Sequence, residues 1–199
     1  MCVYREAPMA EKDGFTAKLS KALHTHGIDE AIIQDVLSAP YPGNKDICQD
    51  TANYLHAVMT KCGEQVDEGT LTMVMAELSC SRTGEMLKKS REFAKEHADK
   101  PFAERITLLA HVSQPRMIDE NHISAYITGE HETVCSCWRM KGRKPEQGAM
   151  PKSYCFCCAG FMKFHYEKAL GIELRTVEIP SSLLSGDKRC SVVFEILSK

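Results

Sequence analysis

Residues 151–171 read PKSYCFCCAGFMKFHYEKALG, and the reading of this stretch decides the fold. From Tyr154 to Leu170 it has the character of a helix, and Gly171 stands where a glycine ends one. Strand-like segments lie on both sides. Upstream, HISAYIT (122–128) and HETVCSC (131–137) alternate and are joined by Gly129 and Glu130, the pattern of a β-hairpin. Downstream, IELRTVEI (172–179) reads as a strand, and Gly186-Asp187 turns into RCSVVFEIL (189–197). The helix between them gives a β-β-α-β-β order. An α+β fold with an antiparallel sheet follows.

Before Pro115 the chain reads as helices. Phe15, Leu19, Ala22 and Leu23 form one stripe that Gly27 ends. Asp29 suits the cap of a helix through Ser38, which Pro40, Pro42 and Gly43 close. Ile47, Tyr54, Leu55, Val58, Met59 and Cys62 keep helical spacing up to Gly63. Further helices are expected over 67–78, 83–97 and 101–109. The organisation is a helical region, 1–115, and a cysteine-rich α+β region, 116–199, forming one compact unit.

The 199 residues are 43% hydrophobic and 26% charged, with net charge −2, the balance of an ordinary soluble globule. No global basic field is present to gather nucleic acid. The start, MCVYREAPMAEKDG, carries charges where a signal peptide has an apolar core, and no twenty-residue apolar run occurs. A cytoplasmic protein with neither nucleic-acid nor membrane partners is expected. In a reducing compartment ten cysteines point to metal binding, thiol chemistry or plain burial rather than a disulfide framework.

Six of the ten crowd the last third: Cys135, Cys137, Cys155, Cys157, Cys158 and Cys190. If 131–137 is a strand, Cys135 and Cys137 share a face. Cys155, Cys157 and Cys158 sit at a helix start, where the helix dipole favours thiolate, the form that ligates metal. Two such segments would place four sulfurs about 2.3 Å from a Zn²⁺, and an iron–sulfur cluster accepts the same ligands. Buried cysteine also acts as a small apolar residue, the reading preferred for Cys48 and Cys62. Cys190 shares a strand face with Val192, Phe194 and Ile196, as a core position does. His165, two turns after Cys158 on the same helix face, reads as a half-buried core histidine or as a residue completing the thiol site, and His165 or His131 would be the general base of a hydrolase; Glu178 reads as an exposed strand glutamate or, if its face is internal, as a metal ligand. Arg139, Lys141, Arg143, Lys144 and Lys152 form a basic loop, read as solvated charge. No Walker loop, Rossmann glycine pattern, GxSxG or HExxH occurs.

The segments CSC (135–137), PKSYCFCCAG (151–160), LGIELRTVE (170–178) and GDKRCSVVFEI (186–196) occur in an order that resembles an uncharacterised prokaryotic cysteine-rich family related to the 4-vinyl-reductase domain, whose fold is shared with transport-protein-particle subunits. LSCSR (78–82) loosely resembles a Cys-Gly-Arg element of that family. The resemblance covers residues 120–199. It implies a small-molecule-binding or sensing module, a zinc held by a glutamate and cysteines near the C-terminal strands, and pairing as a homodimer. Glu178 and Cys190 match that glutamate and the final cysteine. The middle cysteine falls at or near Ser181, and Cys155 or Cys157 would replace it. The Gly186-Asp187 turn leading to Cys190 is also similar to the end of the 2-aminothiazoline-4-carboxylate hydrolase family, which implies a cysteine-dependent hydrolase. A thiol redox protein is the third reading. For the sensing reading, an apolar pocket lined by Phe161, Phe164, Tyr166 and Phe194 is expected.

Overall fold

The computed structural model describes residues 14–39, 47–79, 83–128, 132, 134, 135, 137–140, 143 and 145–198. Capping residues set the helix starts. Asp29 accepts a hydrogen bond from the Ala31 amide at 2.7 Å and opens α2 (Glu30–Leu37), which follows α1 (Gly14–Thr25). Asp67 accepts from the Thr70 amide at 2.9 Å and opens α4 (Glu68–Glu77). Between them α3 (Ile47–Gln65) runs through Gly63 instead of ending there. An interior glycine costs a helix about 1 kcal/mol and does not by itself end it. The Asp67 cap of the next helix marks the real boundary. α5 (Gly84–Glu96) and α6 (Phe102–Leu108) complete the helical half.

The sheet contains β1 (Arg116–Met117), β2 (His122–Tyr126), β3 (Glu173–Ser181) and β4 (Ser191–Ser198), antiparallel throughout in the order β1-β2-β4-β3. Its hairpin differs from the expected one. β2 pairs back onto β1, not onward to residues 131–137. Asp119 explains the turn: its carboxylate accepts from the Asn121 and His122 amides, both at 2.8 Å, reversing the chain one strand earlier. The expected Gly129-Glu130 turn lies outside the described residues, and Glu132, Val134, Cys135 and Cys137 are not in a strand.

α7 (Phe156–Leu170) lies between β2 and β3 in sequence and at the centre of the fold in space. Gly171, at φ 67°, ends it as expected. Its start is two residues later than expected, because Lys152–Cys155 form a 3-10 turn. Residues buried on more than one side of α7 include Cys157, Gly160, Met162, His165 and Tyr166, as a helix between two layers requires. One side meets the sheet, where Tyr166 stacks edge-on against Phe194 at 5.8 Å. The other packs on α4 and α5. The pairs Ile123–Phe194, Ala125–Val192 and Leu174–Ile196 form the inner face of the sheet. One hydrophobic core runs from Phe15 to Ile196, across residues 115 and 116. Among the described residues no helix is long and apolar enough to cross a membrane.

Candidate functional site

Three segments deliver the thiols. The first is the loop at Cys135–Cys137. The Cys137 amide donates to Cys135 Sγ at 3.4 Å, and the Cys137 carbonyl accepts from the Met140 amide at 2.9 Å, opening a 3-10 turn at Trp138–Met140. This folded loop, rather than strand alternation, directs the Cys137 sulfur inward, 3.5 Å from the buried Tyr154 hydroxyl. The second segment is the approach to α7. There Cys155 Sγ lies 3.1 Å from the hydroxyl of Ser182, a residue with no exposed surface. The third is the start of β4. Cys190 Sγ accepts from the Leu183 amide at 3.2 Å, and the Cys190 amide donates to Thr128 Oγ1 at 3.1 Å.

The thiols feel one another. Burial pushes the Cys155 thiol up to about 12; the Ser182 hydroxyl partly offsets this, and Cys158, Cys190 and Cys137 raise it further. Burial likewise raises Cys135, where Cys137, Cys158 and Cys155 add to the shift. It also raises Cys190, with Cys158 contributing. Cys158 acts on all three. Five sulfurs, those of Cys135, Cys137, Cys155, Cys158 and Cys190, thus lie within electrostatic reach of one neighbourhood. The seven described cysteines are all thiols, none in a disulfide. Among the described residues, no three His, Cys, Asp or Glu side chains are drawn together as a coordination sphere; the sulfurs make the contacts given above.

The expected thiolate character of the helix start does not appear at Cys155. That residue is 6% exposed and precedes α7 in helical conformation without capping it, so desolvation outweighs the helix dipole. Cys157 has no exposed surface and acts on Tyr154. Cys62 is a fully buried core thiol on α3, pushed up to about 12 by burial. Cys2 and Cys80 lie outside the described residues, as do His131 and the side chain of Cys48.

Glu178 is not brought to the thiols. Thr176 pairs with Phe194 on the inner face, but a bulge follows, and Glu178 pairs with Val193 on the outer face, where it is exposed. The residue that reaches the cluster from β3 is Ser182, which contacts Cys155 and Cys190. The position implied by the resemblance falls one residue earlier, at Ser181, whose hydroxyl meets that of Ser191 at 2.7 Å. The available signal was that Ser182 follows a strand residue matched to a ligand position.

Other expectations are corrected by packing. Arg143 is buried rather than solvated: its guanidinium donates to Asn53 Oδ1 at 2.7 Å and to the carbonyls of Gln147 and Gly148 at 2.7 and 3.0 Å. Arg139 lies over Phe15, and Lys152 donates to the Pro180 carbonyl at 2.8 Å; Lys141 and Lys144 are outside the described residues. The expected apolar pocket is filled, since Tyr166 and Phe194 are fully buried against each other. Phe161 and Phe164 stack on His165, whose Nδ1 meets the Ser90 hydroxyl at 3.1 Å. His165 thus belongs to a separate polar group at the α5–α7 contact.

Comparison with known protein families, curated proteins and solved structures finds no match for this chain.

Proposed function

We propose that this protein is a small-molecule-binding or sensing domain whose C-terminal thiols hold a metal ion, with Zn²⁺ as the ion. One observation carries the reading: buried thiols from separate segments meet at one turn, Cys155 Sγ against the Ser182 hydroxyl and Cys190 Sγ on the next residue's amide, Leu183, while Cys137 Sγ meets Tyr154, the neighbour of Cys155. Gathered buried thiols each oppose ionisation of their neighbours, and without a cation they stay neutral. A cation reverses that relation, since thiolates that repel one another are each stabilised by it. Four of the sulfurs of Cys135, Cys137, Cys155, Cys158 and Cys190 would hold the ion, with Ser182 positioning Cys155. The chemistry is closed and structural, in keeping with an all-sulfur donor set. The resemblance to the 4-vinyl-reductase group supports the sensing half of the proposal.

The hydrolase alternative draws less support. Its nucleophile would start from a thiol held near pKa 12 at Cys155, and its base, His165, is engaged with Ser90.

Reduced protein titrated with Zn²⁺ against a chromophoric chelator is expected to take up one tightly bound ion. Co²⁺ in its place is expected to give the charge-transfer absorption of thiolate ligation. Cys155→Ser combined with Cys190→Ser should abolish both. Retention of no metal, with every thiol still titratable, would refute the proposal.

A further inference from the structure

The turn between β3 and β4 supports the thiols from behind. Ser182 and Asp187 bond each other twice: the Asp187 carboxylate accepts from the Ser182 amide at 2.8 Å, and the Asp187 amide donates to the Ser182 carbonyl at 3.1 Å. Within this ring the chain makes a 3-10 turn at Leu183–Ser185. The Ser182 carbonyl also accepts from the Ser185 amide at 3.0 Å, and its hydroxyl accepts from the Leu184 amide at 3.2 Å. The amide, carbonyl and hydroxyl of Ser182 all have partners, so this buried side chain is held in one orientation.

That orientation serves sulfurs from two segments. A hydroxyl has one proton to give. With Leu184 donating to Ser182 Oγ, the proton is left for Cys155 Sγ, 3.1 Å away, once that sulfur is a thiolate. The next amide, that of Leu183, donates to Cys190 Sγ at 3.2 Å. The turn thus aims an O–H and an N–H at two buried sulfurs, and such donors favour thiolate against the desolvation that opposes it. We infer that Asp187 is a positioning residue of this thiol site, acting on Cys155 and Cys190 through Ser182 and Leu183 from outside the donor set. Lys152, three residues before Cys155, donates to the Pro180 carbonyl at 2.8 Å and stands 3.9 Å from the Asp187 carboxylate. That ion pair is open to water on both sides and adds little. The hydrogen bond from Ser182 therefore carries the role. Its effect on metal affinity rests on the metal reading above, whereas its effect on the thiols does not.

The test uses the full-length reduced protein and two substitutions at this exposed position. Asp187→Ala is expected to weaken Zn²⁺ binding about tenfold or more, measured against a chromophoric chelator, and to alter the Co²⁺–thiolate absorption. Asp187→Asn keeps an oxygen that accepts the Ser182 amide and should restore both. Alkylation of the metal-free proteins supplies a readout that needs no ion. Asp187→Ala should speed labelling of Cys155 and Cys190 severalfold and leave Cys62, on α3, at the parent rate. If the parent takes up no ion, the metal reading fails and the labelling pattern decides the role of Asp187. Unchanged labelling of Cys155 and Cys190, an equal rise at Cys62, or parent-like Zn²⁺ affinity in Asp187→Ala beside a parent that binds the ion would overturn the inference.

Discussion

Ser90 places one hydroxyl between two imidazoles. Its Oγ donates to the Met86 carbonyl at 3.0 Å and lies 3.1 Å from both His111 Nε2 and His165 Nδ1. A hydroxyl has one proton to give, so both rings present N–H groups to it. Burial lowers the His111 pKa, with His165 and Lys89 adding to the effect. The native state therefore disfavours a proton that the unfolded chain accepts near its ordinary value of 6.5. This contribution to stability is complete above that value and is lost as pH falls through the lower native one. Urea midpoints are expected to decline as pH drops below about 6.5. His111→Gln should flatten part of that decline. His56, lowered by burial and by Arg143, contributes in the same direction and accounts for a remainder. A midpoint independent of pH between 7 and 5 (an order-of-magnitude window around the imidazole range) would contradict the assignment.

At the scale of elements, the contact of α7 with α4 depends on Gly160. A Cβ there would run into the Ala76 carbonyl oxygen and come within 3.1 Å of Ser79 Cβ. Backbone atoms cannot swing aside as a flexible side chain can. Gly160→Ala is expected to cost about 1–3 kcal/mol from overpacking, against a gain of at most about 1 kcal/mol in helix propensity. The melting temperature should fall by about 2–4 °C per kcal/mol of net loss; a rise would show that the helices can separate without cost. The sequence alone revealed α7 and its Gly171 stop, because the terminator acts locally. It misplaced the hairpin, because alternation at 131–137 resembles alternation in any half-buried segment. The deciding contacts are those of the Asp119 carboxylate and the β2–β4 pairing.

For the whole molecule, packing ranks the thiols. Cys135 and Cys158 are half-buried, whereas Cys62 and Cys157 have no exposed surface. Brief alkylation of the native reduced protein, followed by peptide mapping, is expected to label Cys135 and Cys158 well before Cys62 and Cys157. Zinc should suppress labelling of the first two and leave the others unchanged. Equal labelling of all four would refute the packing, and labelling indifferent to zinc would count against the metal reading.

Local sequence suffices for the mixed α and β class, the Asp29 cap, the end of α7 and the crowding of cysteines into the last third. Each depends on neighbours a few residues away, and local rules suffice for them. Only the tertiary structure decided that Ser182 rather than Glu178 reaches the thiols, that Arg143 is buried and that Asp187 holds Ser182 in place. A bulge in β3 between Thr176 and Glu178 turns Glu178 to the outer face, and burial of a charge depends on partners distant in sequence, such as Asn53 for Arg143. Neither is encoded in spacing along the chain.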